Sequence, residues 1–400
     1  MYEGKTVGVV IPAYNEEEFI EAVIRGVPEY VDRIYAVDDA STDATWTEIL
    51  AAPTAEDGPG PRYEQTDGGT DRGTTGNGLT PTRSSDRTDP DQPDGTADLQ
   101  ESWSVESMAD SETPVHRALA ERTQELRRQG RVVAIQHRSN QGAGGAIKTG
   151  YLAALVDGVD AVATIDGDGQ MDPGVLSDLL DPIVDDDIDY TKGNRLLHRE
   201  YRSEMPTLRL VGNFILTFLT KIASGYWRVM DPQNGYTVIS RQALEAVSVR
   251  EMYEDYGYCN ELLIKLNVAD TRIADVPTDV EYSDEESHIQ YSSYIPRVSM
   301  LLLRGFLWRL KTKYLILDFH PLVFFYFLGA ASSGVGVLSG LYTVWQSLAT
   351  GSSYLLDEIV SPVLLVTGLT FLLVAMVLDR AENDALVRPQ QLGANSARME

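Results

Sequence analysis

Short apolar runs alternate with amphipathic segments through most of the first 195 residues. The apolar runs predict buried strands at Thr6 to Pro12, Asp32 to Asp38, Arg131 to Gln136, Ala161 to Asp166 and Ile188 to Lys192. The segments between them predict helices from Glu16 to about Val27, from near Asp43, from Thr113 to Gly130, from Gly142 to about Asp157, and from about Pro173. Strands that alternate with helices in this way indicate an α/β fold with an open, largely parallel sheet.

The composition changes abruptly between Ala51 and Thr113. This stretch is rich in Gly, Pro, Asp, Ser and Thr, and it carries 14 acidic and 4 basic residues. It holds too little apolar surface to offset the entropy cost of ordering the chain. We therefore predict a disordered acidic insertion over residues 51–113. It interrupts one catalytic domain that is formed by residues 1–50 and 114–295.

Two long uncharged runs lie near the C-terminus, from Pro321 to Leu356 and from Ile359 to Leu378. Each can supply the ~20 residues that a helix needs to cross a bilayer. Arg and Lys precede the first run, and Arg380 and Arg388 follow the second, which places both ends in the cytoplasm. We predict a basic juxtamembrane segment over residues 296–318, a transmembrane hairpin over residues 319–380 and a polar tail over residues 381–400.

The bases from residue 304 to residue 313 in the juxtamembrane segment are expected to face anionic lipid headgroups at the membrane surface. They are Arg304, Arg309, Lys311 and Lys313. The alternative is that the two apolar runs form a buried hairpin of a soluble protein. The transmembrane interpretation, which we favour, predicts a cell-membrane protein whose large N-terminal domain lies in the cytoplasm.

The formal net charge is -27, of which the insertion contributes 4 − 14 = −10, so the remainder still carries about −17. Acidity of this extent argues against nucleic acid as a partner. It is typical of adaptation to high salt, where charge repulsion is screened, although an ordinary acidic cytoplasmic protein is the alternative. The only cysteine, Cys259, excludes an internal disulfide and a cysteine-rich metal site. The first apolar run is too short for a signal peptide, so we expect the catalytic domain to remain where it is made.

An apolar strand runs directly into Asp166 and Asp168, which puts two carboxylates at its C-terminal end. Open α/β sheets bind ligands at that edge. Carboxylates two residues apart, each followed by glycine, suit a hard divalent ion that phosphate oxygens also hold. Such an ion neutralises charge on a departing diphosphate. Asp-x-Asp alone is a common turn sequence, so its place after a buried strand carries this interpretation.

The first predicted strand ends in Ile11-Pro-Ala-Tyr-Asn-Glu16. Tyr14 is suited to stack on a nucleobase, and Asn15 and Glu16 offer polar contacts at the start of a helix. The alternative is a plain strand-to-helix turn that Asn15 caps.

Two more polar segments follow predicted strands. In Val37-Asp-Asp-Ala-Ser-Thr-Asp43, Asp39 is suited to accept a hydrogen bond from a base or ribose. In Asn140-Gln-Gly-Ala-Gly-Gly-Ala-Ile-Lys148, the glycines allow either a ligand or another part of the chain to approach the backbone closely. The sequence leaves these two roles for Gly142 and Gly145 open.

These four segments, in this order and each after a strand, resemble those of family 2 glycosyltransferases. Within that family the resemblance is closest to the dolichyl- or polyprenyl-phosphate sugar synthases, and it covers about Lys5 to Ala51 and Pro114 to Tyr282. It implies a GT-A, Rossmann-like fold, a UDP- or GDP-linked sugar donor, inversion at the anomeric carbon and a divalent cation, Mg2+ or Mn2+. Together with the acidity it indicates a salt-adapted archaeal enzyme.

The resemblance also implies roles for individual residues. The nucleotide sugar would be bound by Pro12, Tyr14, Glu16, Val37, Asp39, Asp166 and Gln170. Asp166, Asp168 and Gln170 would surround the metal and the diphosphate, with Asp168 as the principal ligand. Arg195, in Gly193-Asn-Arg195, would face the diphosphate or the acceptor's phosphate. The alternative for Arg195 is a surface ion pair.

Two later segments look like the acceptor side of the family's site, namely Asp231-Pro-Gln-Asn-Gly235 and Tyr258-Cys-Asn-Glu-Leu262. Asp231 and Glu261 are suited to orient an acceptor, or else to cap a helix or pair with an arginine. The expected catalytic residues are therefore Asp168, Arg195 and Asp231.

The expected reaction transfers a sugar to a polyprenyl phosphate, whose ionised oxygen needs little help from a general base. The main alternative transfers it to a hydroxyl of a glycolipid or lipid-linked oligosaccharide. That reaction needs a base, for which Asp231 or an acid near Glu254 is a candidate. A nucleotidyltransferase and a catalytically inactive membrane scaffold are the remaining alternatives.

Overall fold

The computed structural model describes residues 1–52, 104–195, 207–278, 291–350 and 355–388. Most of the predicted acidic insertion, residues 53–103, lies outside the described residues. The described part forms one sheet with helices on both faces, followed by a long helical hairpin.

Eight strands build the sheet, in the order β3-β4-β2-β1-β5-β7-β6-β8. They are β1 Val7–Ala13, β2 Arg33–Asp38, β3 Thr123–Gln129, β4 Val132–His137, β5 Ala161–Thr164, β6 Tyr190–Asn194, β7 Thr237–Ser240 and β8 Ile273–Pro277. Four of the seven neighbouring pairs are parallel and three are antiparallel. The prediction of an α/β fold with a largely parallel sheet is confirmed.

The strand order reverses at β1. From β1 the chain moves to β2 and β4 on one side and returns to β5 on the other side. The chain therefore leaves β1 and β5 in opposite directions across the sheet, and we refer to the carboxyl ends of these two strands as the crevice. In open α/β sheets, such a switch point is where ligands bind.

Helices cover both faces of the sheet. They are α1 Ile20–Gly26, α2 Thr45–Ala51, α3 Val105–Ala109, α4 Pro114–Arg122, α5 Ala143–Asp157, α6 Leu176–Asp185, α7 Thr207–Ser224, α8 Arg241–Ala246 and α9 Tyr258–Val268. Successive residues of a strand face opposite sides: Val10 packs into the core under α5, and Val9 and Ile11 pack into the core under α1 and α6. Both faces of β1 are thus buried, which explains its nearly continuous apolar sequence.

The predicted helix from Thr113 to Gly130 is wrong in its second half. The helix ends at Arg122, and Thr123–Gln129 is an edge strand that pairs antiparallel with β4. The polar sequence of this strand conceals it, because an edge strand needs only one apolar face. Gly130 ends the segment as expected, but its positive φ of 57° closes a turn between two strands rather than a helix.

The described residues include the last ten of the predicted insertion. Residues 104–113 include α3, whose Met108 is buried in the same core as Leu119 of α4. The catalytic domain therefore begins again about ten residues earlier than the composition suggested.

The C-terminal part consists of three long helices, α10 Tyr291–Lys311, α11 Leu322–Thr350 and α12 Leu355–Asn383, with a π-helical segment, Thr312–Leu317, after α10. Among the described residues, two stretches are long and apolar enough to cross a membrane, Leu322–Thr350 and Ile359–Leu386. The predicted polar tail begins differently from expectation, since Val387 is buried and forms a parallel bridge to Ile273 at the edge of the sheet.

The expected exposure of the juxtamembrane bases is wrong for two of the four. Arg309 and Lys313 are buried, whereas Arg304 and Lys311 are exposed. The buried pair turns inward because carboxylates of the catalytic domain and of α12 lie there, Asp270 for Lys313 and Asp379 for Arg309.

Candidate active site

The carboxylate loop after β5 lies directly against the end of β1. The amide N–H of Gly167 donates to the carbonyl of Pro12 at 3.2 Å. A Cβ at position 167 would stand 2.8 Å from that carbonyl oxygen, so only glycine permits this approach. The contact brings Asp166 and Asp168 to the crevice beside the first loop, as the sequence predicted.

The carboxylates of Asp166 and Asp168 lie together at the switch point. Burial and the nearby charge of Asp168 raise the pKa of Asp166 to about 7, so this pair favours an added positive charge. The backbone N–H of Gln170 donates to Oδ1 of Asp168 at 3.0 Å, and this bond orders the loop. Among the described residues no cluster of three or more His, Cys, Asp or Glu side chains could hold a metal. Two carboxylates fit a divalent ion whose other ligands come from a diphosphate and water.

The loops after β1 and β2 are tied together. The backbone N–H of Asn15 donates to Oγ of Ser41 at 3.0 Å, and the side-chain Oδ1 of Asn15 accepts from the backbone N–H of Thr42 at 2.9 Å. The amide of Glu16 donates to Oγ1 of Thr45 at 2.8 Å. Asn15 therefore joins two loops and does not cap the helix, whose N-cap position is Phe19.

Tyr14 lies at the tip of this pair of loops with 46% of its surface exposed. Its ring is available to stack on a planar ligand, in agreement with the expected role. Pro12 is partly buried and contributes its carbonyl to the loop contact described above.

The side chains of Asp39 and Val37, which were expected to bind the nucleotide, are both buried within the protein. Oδ1 of Asp39 accepts from the amide of Gln141 at 2.8 Å and contacts Nδ1 of His137 at 2.6 Å, while Oδ2 accepts from the amide of Gly142 at 2.8 Å. This carboxylate is 3% exposed and holds the start of α5. Val37 is fully buried in the core, so its side chain does not line the crevice.

The glycine-rich segment at the start of α5 packs against the loop before α9. A Cβ at Gly142 would lie 2.8 Å from the carbonyl oxygen of Glu254, and one at Gly144 would lie 2.6 Å from that of Tyr253. The amide of Gly145 donates to the same Glu254 carbonyl at 2.8 Å. Of the two roles that the sequence left open, the structure supports packing.

Arg195 and Asp231 form a bidentate ion pair. Nε of Arg195 donates to Oδ2 of Asp231 at 2.7 Å, and Nη2 donates to Oδ1 at 2.9 Å. The side chain of Asp231 is nearly buried, while that of Arg195 is partly exposed. Burial raises the pKa of Asp231, but the hydrogen bonds and charge of Arg195 outweigh this effect and leave the pKa below its usual value. A carboxylate in this state is a poor proton acceptor.

The acceptor-side segment meets the carboxylate loop at Asp166. A Cβ at Gly235 would lie 3.2 Å from Oδ2 of Asp166 and 3.4 Å from the hydroxyl of Tyr258. The charge of Arg195 also acts on Asp166 and lowers its pKa, against the effect of burial. The structure therefore joins Asp166, Asp168, Arg195 and Asp231 in one site, at the boundary between the parallel and the mixed halves of the sheet.

The two other acids considered for the acceptor side, Glu254 as a base and Glu261 as an orienting group, are both occupied. Glu254 is paired with Lys148 at 2.8 Å and with Arg122 at 2.7 Å. Burial raises its pKa, but these two cations outweigh the effect and lower it. Glu261 accepts from the amide of Tyr253 at 2.9 Å and pairs with Lys265 at 3.0 Å, so it orders the loop before α9.

Lys192 was not identified from the sequence. It is 1% exposed, and its Nζ donates to the carbonyls of Met230 at 2.8 Å and Asp231 at 2.5 Å. These bonds hold Asp231 at a positive φ of 48°, where it faces Arg195. A lysine inside the apolar run from Ile188 was the available signal, because a buried charge is kept only with partners.

Comparison with known proteins places these features in a family. The chain is 34% identical over 154 residues to a UDP-N-acetylglucosamine–dolichyl-phosphate N-acetylglucosaminyltransferase from Methanococcus voltae, over 38% of this chain and 61% of that protein. An uncharacterized protein from Methanocaldococcus jannaschii is 27% identical over 164 residues, 41% of this chain and 67% of that protein. The chain thus spans less than two thirds of the first relative.

Among solved structures, glucosyl-3-phosphoglycerate synthase from Mycobacterium tuberculosis in complex with UDP aligns at 21% identity and a TM-score of 0.43, covering 76% of this chain and 80% of that one. The same enzyme with Mn2+, UDP-glucose and phosphoglyceric acid aligns at 19% identity and a TM-score of 0.42, again over 76% and 80%. At these values the likeness says nothing about substrate or mechanism.

The model of the glycosyl transferase family 2 matches residues 8–69 and 108–248. These ranges contain both strands that flank the crevice, the carboxylate loop and the Arg195–Asp231 pair. They cover more than half of the chain, and they confirm the resemblance drawn from the ordered motifs. The chain belongs to glycosyl transferase family 2.

Proposed function

We propose that this protein transfers a sugar from a UDP- or GDP-linked donor to a dolichyl or polyprenyl phosphate, with inversion, at the cytoplasmic face of the cell membrane. The observation that carries the proposal is the meeting of the carboxylate pair with the Arg195–Asp231 pair at one sheet edge. One pair suits a metal-bound diphosphate and the other presents a guanidinium to a second anion. Family membership supplies the reaction class.

The donor side rests on the loops after β1 and β5. Tyr14 stacks on the base, and Pro12 and Glu16 border the same crevice. Asp166 and Asp168, with Gln170 beside them, would hold a divalent ion, Mg2+ or Mn2+, which would supply positive charge to the diphosphate leaving group. Asp39 acts indirectly, since it fixes the start of α5 beside the pocket.

The acceptor side favours an anionic nucleophile. Asp231 and Glu254, the two acids considered as bases, are both held by cations and both have lowered pKa values. A phosphate oxygen is already ionised near neutral pH and needs no such base, whereas a hydroxyl acceptor does. A relative that is named for a dolichyl-phosphate acceptor agrees with this choice.

The membrane assignment rests on the hairpin and on an apolar surface beside the site. Helices α7 and α10 pack on each other through Ala223, Val298 and Leu302. Their outer faces expose large apolar side chains at helical spacing, namely Phe214, Phe218, Leu303, Leu307 and Trp308. Exposed apolar stripes beside two candidate spans suit burial in lipid.

The test is a donor screen. Membranes that contain the protein are supplied with polyprenyl phosphate and with radiolabelled UDP- and GDP-sugars in turn, in the presence of Mn2+ or Mg2+, and the label is followed into lipid extracts. We expect one donor class to label the lipid and chelation by EDTA to abolish the labelling. Transfer to lipid that is unchanged by EDTA would contradict the metal role, and the absence of lipid labelling with every donor would contradict the function.

A further inference from the structure

A buried polar cluster outside the active site lies between the catalytic domain and the hairpin. The side chains of Arg309 and Asp379 are both 0% exposed. Nη1 of Arg309 donates to Oδ1 of Asp379 at 2.8 Å, and Nη2 donates to Oδ2 at 2.9 Å. We call this pair, with the groups that it bonds, the joint.

All five N–H groups of Arg309 have acceptors. Besides the two bonds to Asp379, Nε donates to the carbonyl of Ala223 at 2.9 Å, Nη2 to that of Ile222 at 3.0 Å, and Nη1 to the hydroxyl of Tyr314 at 3.4 Å. The two carbonyls lie in the last turn of α7, where helix carbonyls lack intrahelical partners.

Asp379 is equally well satisfied. Its Oδ1 also accepts from the hydroxyl of Tyr314 at 2.9 Å and from Nδ2 of Asn383 at 3.0 Å. Its Oδ2 accepts from Nε1 of Trp227 and from the hydroxyl of Tyr326, both at 3.4 Å. One ion pair thus connects α7, α10, the π-helical segment and both helices of the hairpin.

Stability alone does not account for such a pair. Removing two charges from water costs several kcal/mol per ion, and apolar residues of similar volume often serve as well or better. Apolar contacts are not directional, whereas a bidentate arginine–carboxylate pair fixes the relative orientation and position of the two parts that it joins. The joint therefore specifies where the hairpin sits on the catalytic domain.

The joint is also close to the active site along α7. Ile222 and Ala223 follow Lys221, whose Nζ lies 3.1 Å from Sδ of Met230. Met230 precedes Asp231, the residue that holds Arg195. A continuous series of contacts therefore leads from the hairpin to the acceptor side of the site.

We propose that Arg309 and Asp379 are positioning residues that hold the membrane hairpin at the height at which an embedded acceptor meets the donor sugar. The proposal rests on the proposed function. Loosening the joint should leave the donor site intact and should impair only those acceptors that the bilayer holds in place.

The test compares two acceptors in reconstituted vesicles: a long polyprenyl phosphate embedded in the bilayer and a short-chain, water-soluble prenyl phosphate. Two variants are used, Arg309→Lys, which keeps the charge but loses the fork, and Arg309→Met combined with Asp379→Leu, which removes both charges. We expect transfer to the embedded acceptor to fall by about tenfold to a hundredfold, as misplacement of reactants does. Transfer to the soluble acceptor and binding of nucleotide should stay within about twofold of wild type.

A matched control is available in the same interface. Arg228 and Asp384 also form a bidentate pair between the catalytic domain and the end of the hairpin, but both side chains are exposed. Arg228→Gln with Asp384→Asn should change neither reaction by more than about twofold, because exposed pairs contribute little.

The proposal is overturned if the ratio of transfer to the embedded acceptor over transfer to the soluble acceptor is the same in both joint variants as in the wild type. This holds whether both reactions are unchanged or both fall equally with nucleotide binding retained. If the double variant loses nucleotide binding, Arg309→Lys alone decides by the same ratio. A wild-type protein that transfers to neither acceptor would instead contradict the proposed function.

Discussion

At the scale of single residues, the site is organised by pairs in which one member holds the other. The carboxylate of Asp231 holds the guanidinium of Arg195 with two hydrogen bonds, and the ammonium of Lys192 holds the backbone carbonyl of Asp231. Asp39 holds the amides at the start of α5 in a similar way. We propose that the substrates meet the carboxylates of Asp166 and Asp168, the exposed ring of Tyr14 and the partly exposed side chain of Arg195.

Replacing Asp168 by Asn should abolish transfer and keep the fold. The amide removes one negative charge from the donor set, so the metal and the leaving diphosphate lose their principal ligand. We expect a fall of at least about a hundredfold at saturating Mn2+, with an unchanged melting temperature. Asp185→Asn, at an exposed position of α6, is the control. Activity of Asp168→Asn within about threefold of wild type would remove Asp168 from the mechanism.

A double-mutant cycle separates the two roles considered for Asp231. If Asp231 acts only by holding Arg195, then Asp231→Asn, Arg195→Gln and the double variant should all lose transfer to a similar extent, about a hundredfold. The pH profile of Asp231→Asn should keep its shape, because no titrating base has been removed. Additive losses, or the disappearance of an acidic limb from the profile, would indicate a general base and favour the hydroxyl acceptor.

Sequence reasoning singled out the carboxylate loop and Arg195 because each follows a strand, and Asp231 because its segment resembles one of the family. It did not foresee that the Asp39 carboxylate is bonded within the protein or that the Val37 side chain is buried in the core. A strand-end position shows which edge of the sheet a residue reaches, but only the packing of α5 decides whether a carboxylate there is used within the protein. Asp231 was identified, but its pairing with Arg195 joins residues 36 positions apart and could not be inferred.

At the scale of elements, the five strands predicted from apolar sequence lie within two residues of the observed bounds, whereas β7, β8 and the polar elements were not predicted. The edge strand β3 has a sequence of helix-forming polar residues, and the short helix α3 lies in a stretch of disorder-like composition. Both depend on tertiary pairing, β3 on β4 and Met108 on the core of α4 and α5. Local propensity is too weak to decide such cases.

The acidic insertion offers a test at this scale. Replacement of residues 53–103 by a short Gly/Ser linker should change the melting temperature little, since the segment has few apolar residues to bury. Extending the deletion through residue 113 should lower it, because Met108 leaves the core, and core methionines contribute about 2–5 kcal/mol. Equal melting temperatures for the two deletions would show that α3 does not stabilise the domain.

The apolar face of α7 and α10 offers another test. A polarity-sensitive fluorophore on a cysteine at Phe218 should emit in the blue and be quenched by spin-labelled lipid, since this face is expected to lie in the bilayer. The same label at Glu245 of α8, on an exposed part of the catalytic domain, is the control. The native cysteine, Cys259, is buried and should not react. Equal quenching at both positions, or at neither, would contradict the proposed orientation.

At the scale of the whole molecule, three parts converge on one edge of the sheet. The parallel half holds the carboxylate loop, the mixed half holds Arg195 and Asp231, and the hairpin is joined to the end of α7 by Arg309 and Asp379. The segment after α12 also returns to the sheet, where Val387 pairs with Ile273. Under the proposed function, this arrangement would bring a water-soluble donor and a lipid acceptor to the same place.

The most direct test of the central claim identifies the bond that the enzyme makes. Purified protein in vesicles is given its labelled nucleotide sugar with either polyprenyl phosphate or the corresponding free polyprenol, and the lipid product is treated with mild acid. The account predicts labelling with the phosphate only, loss of labelling in Asp168→Asn, and release of free sugar under mild acid, as a glycosyl phosphate behaves. A labelled product that forms from the polyprenol, or that resists mild acid, would contradict it.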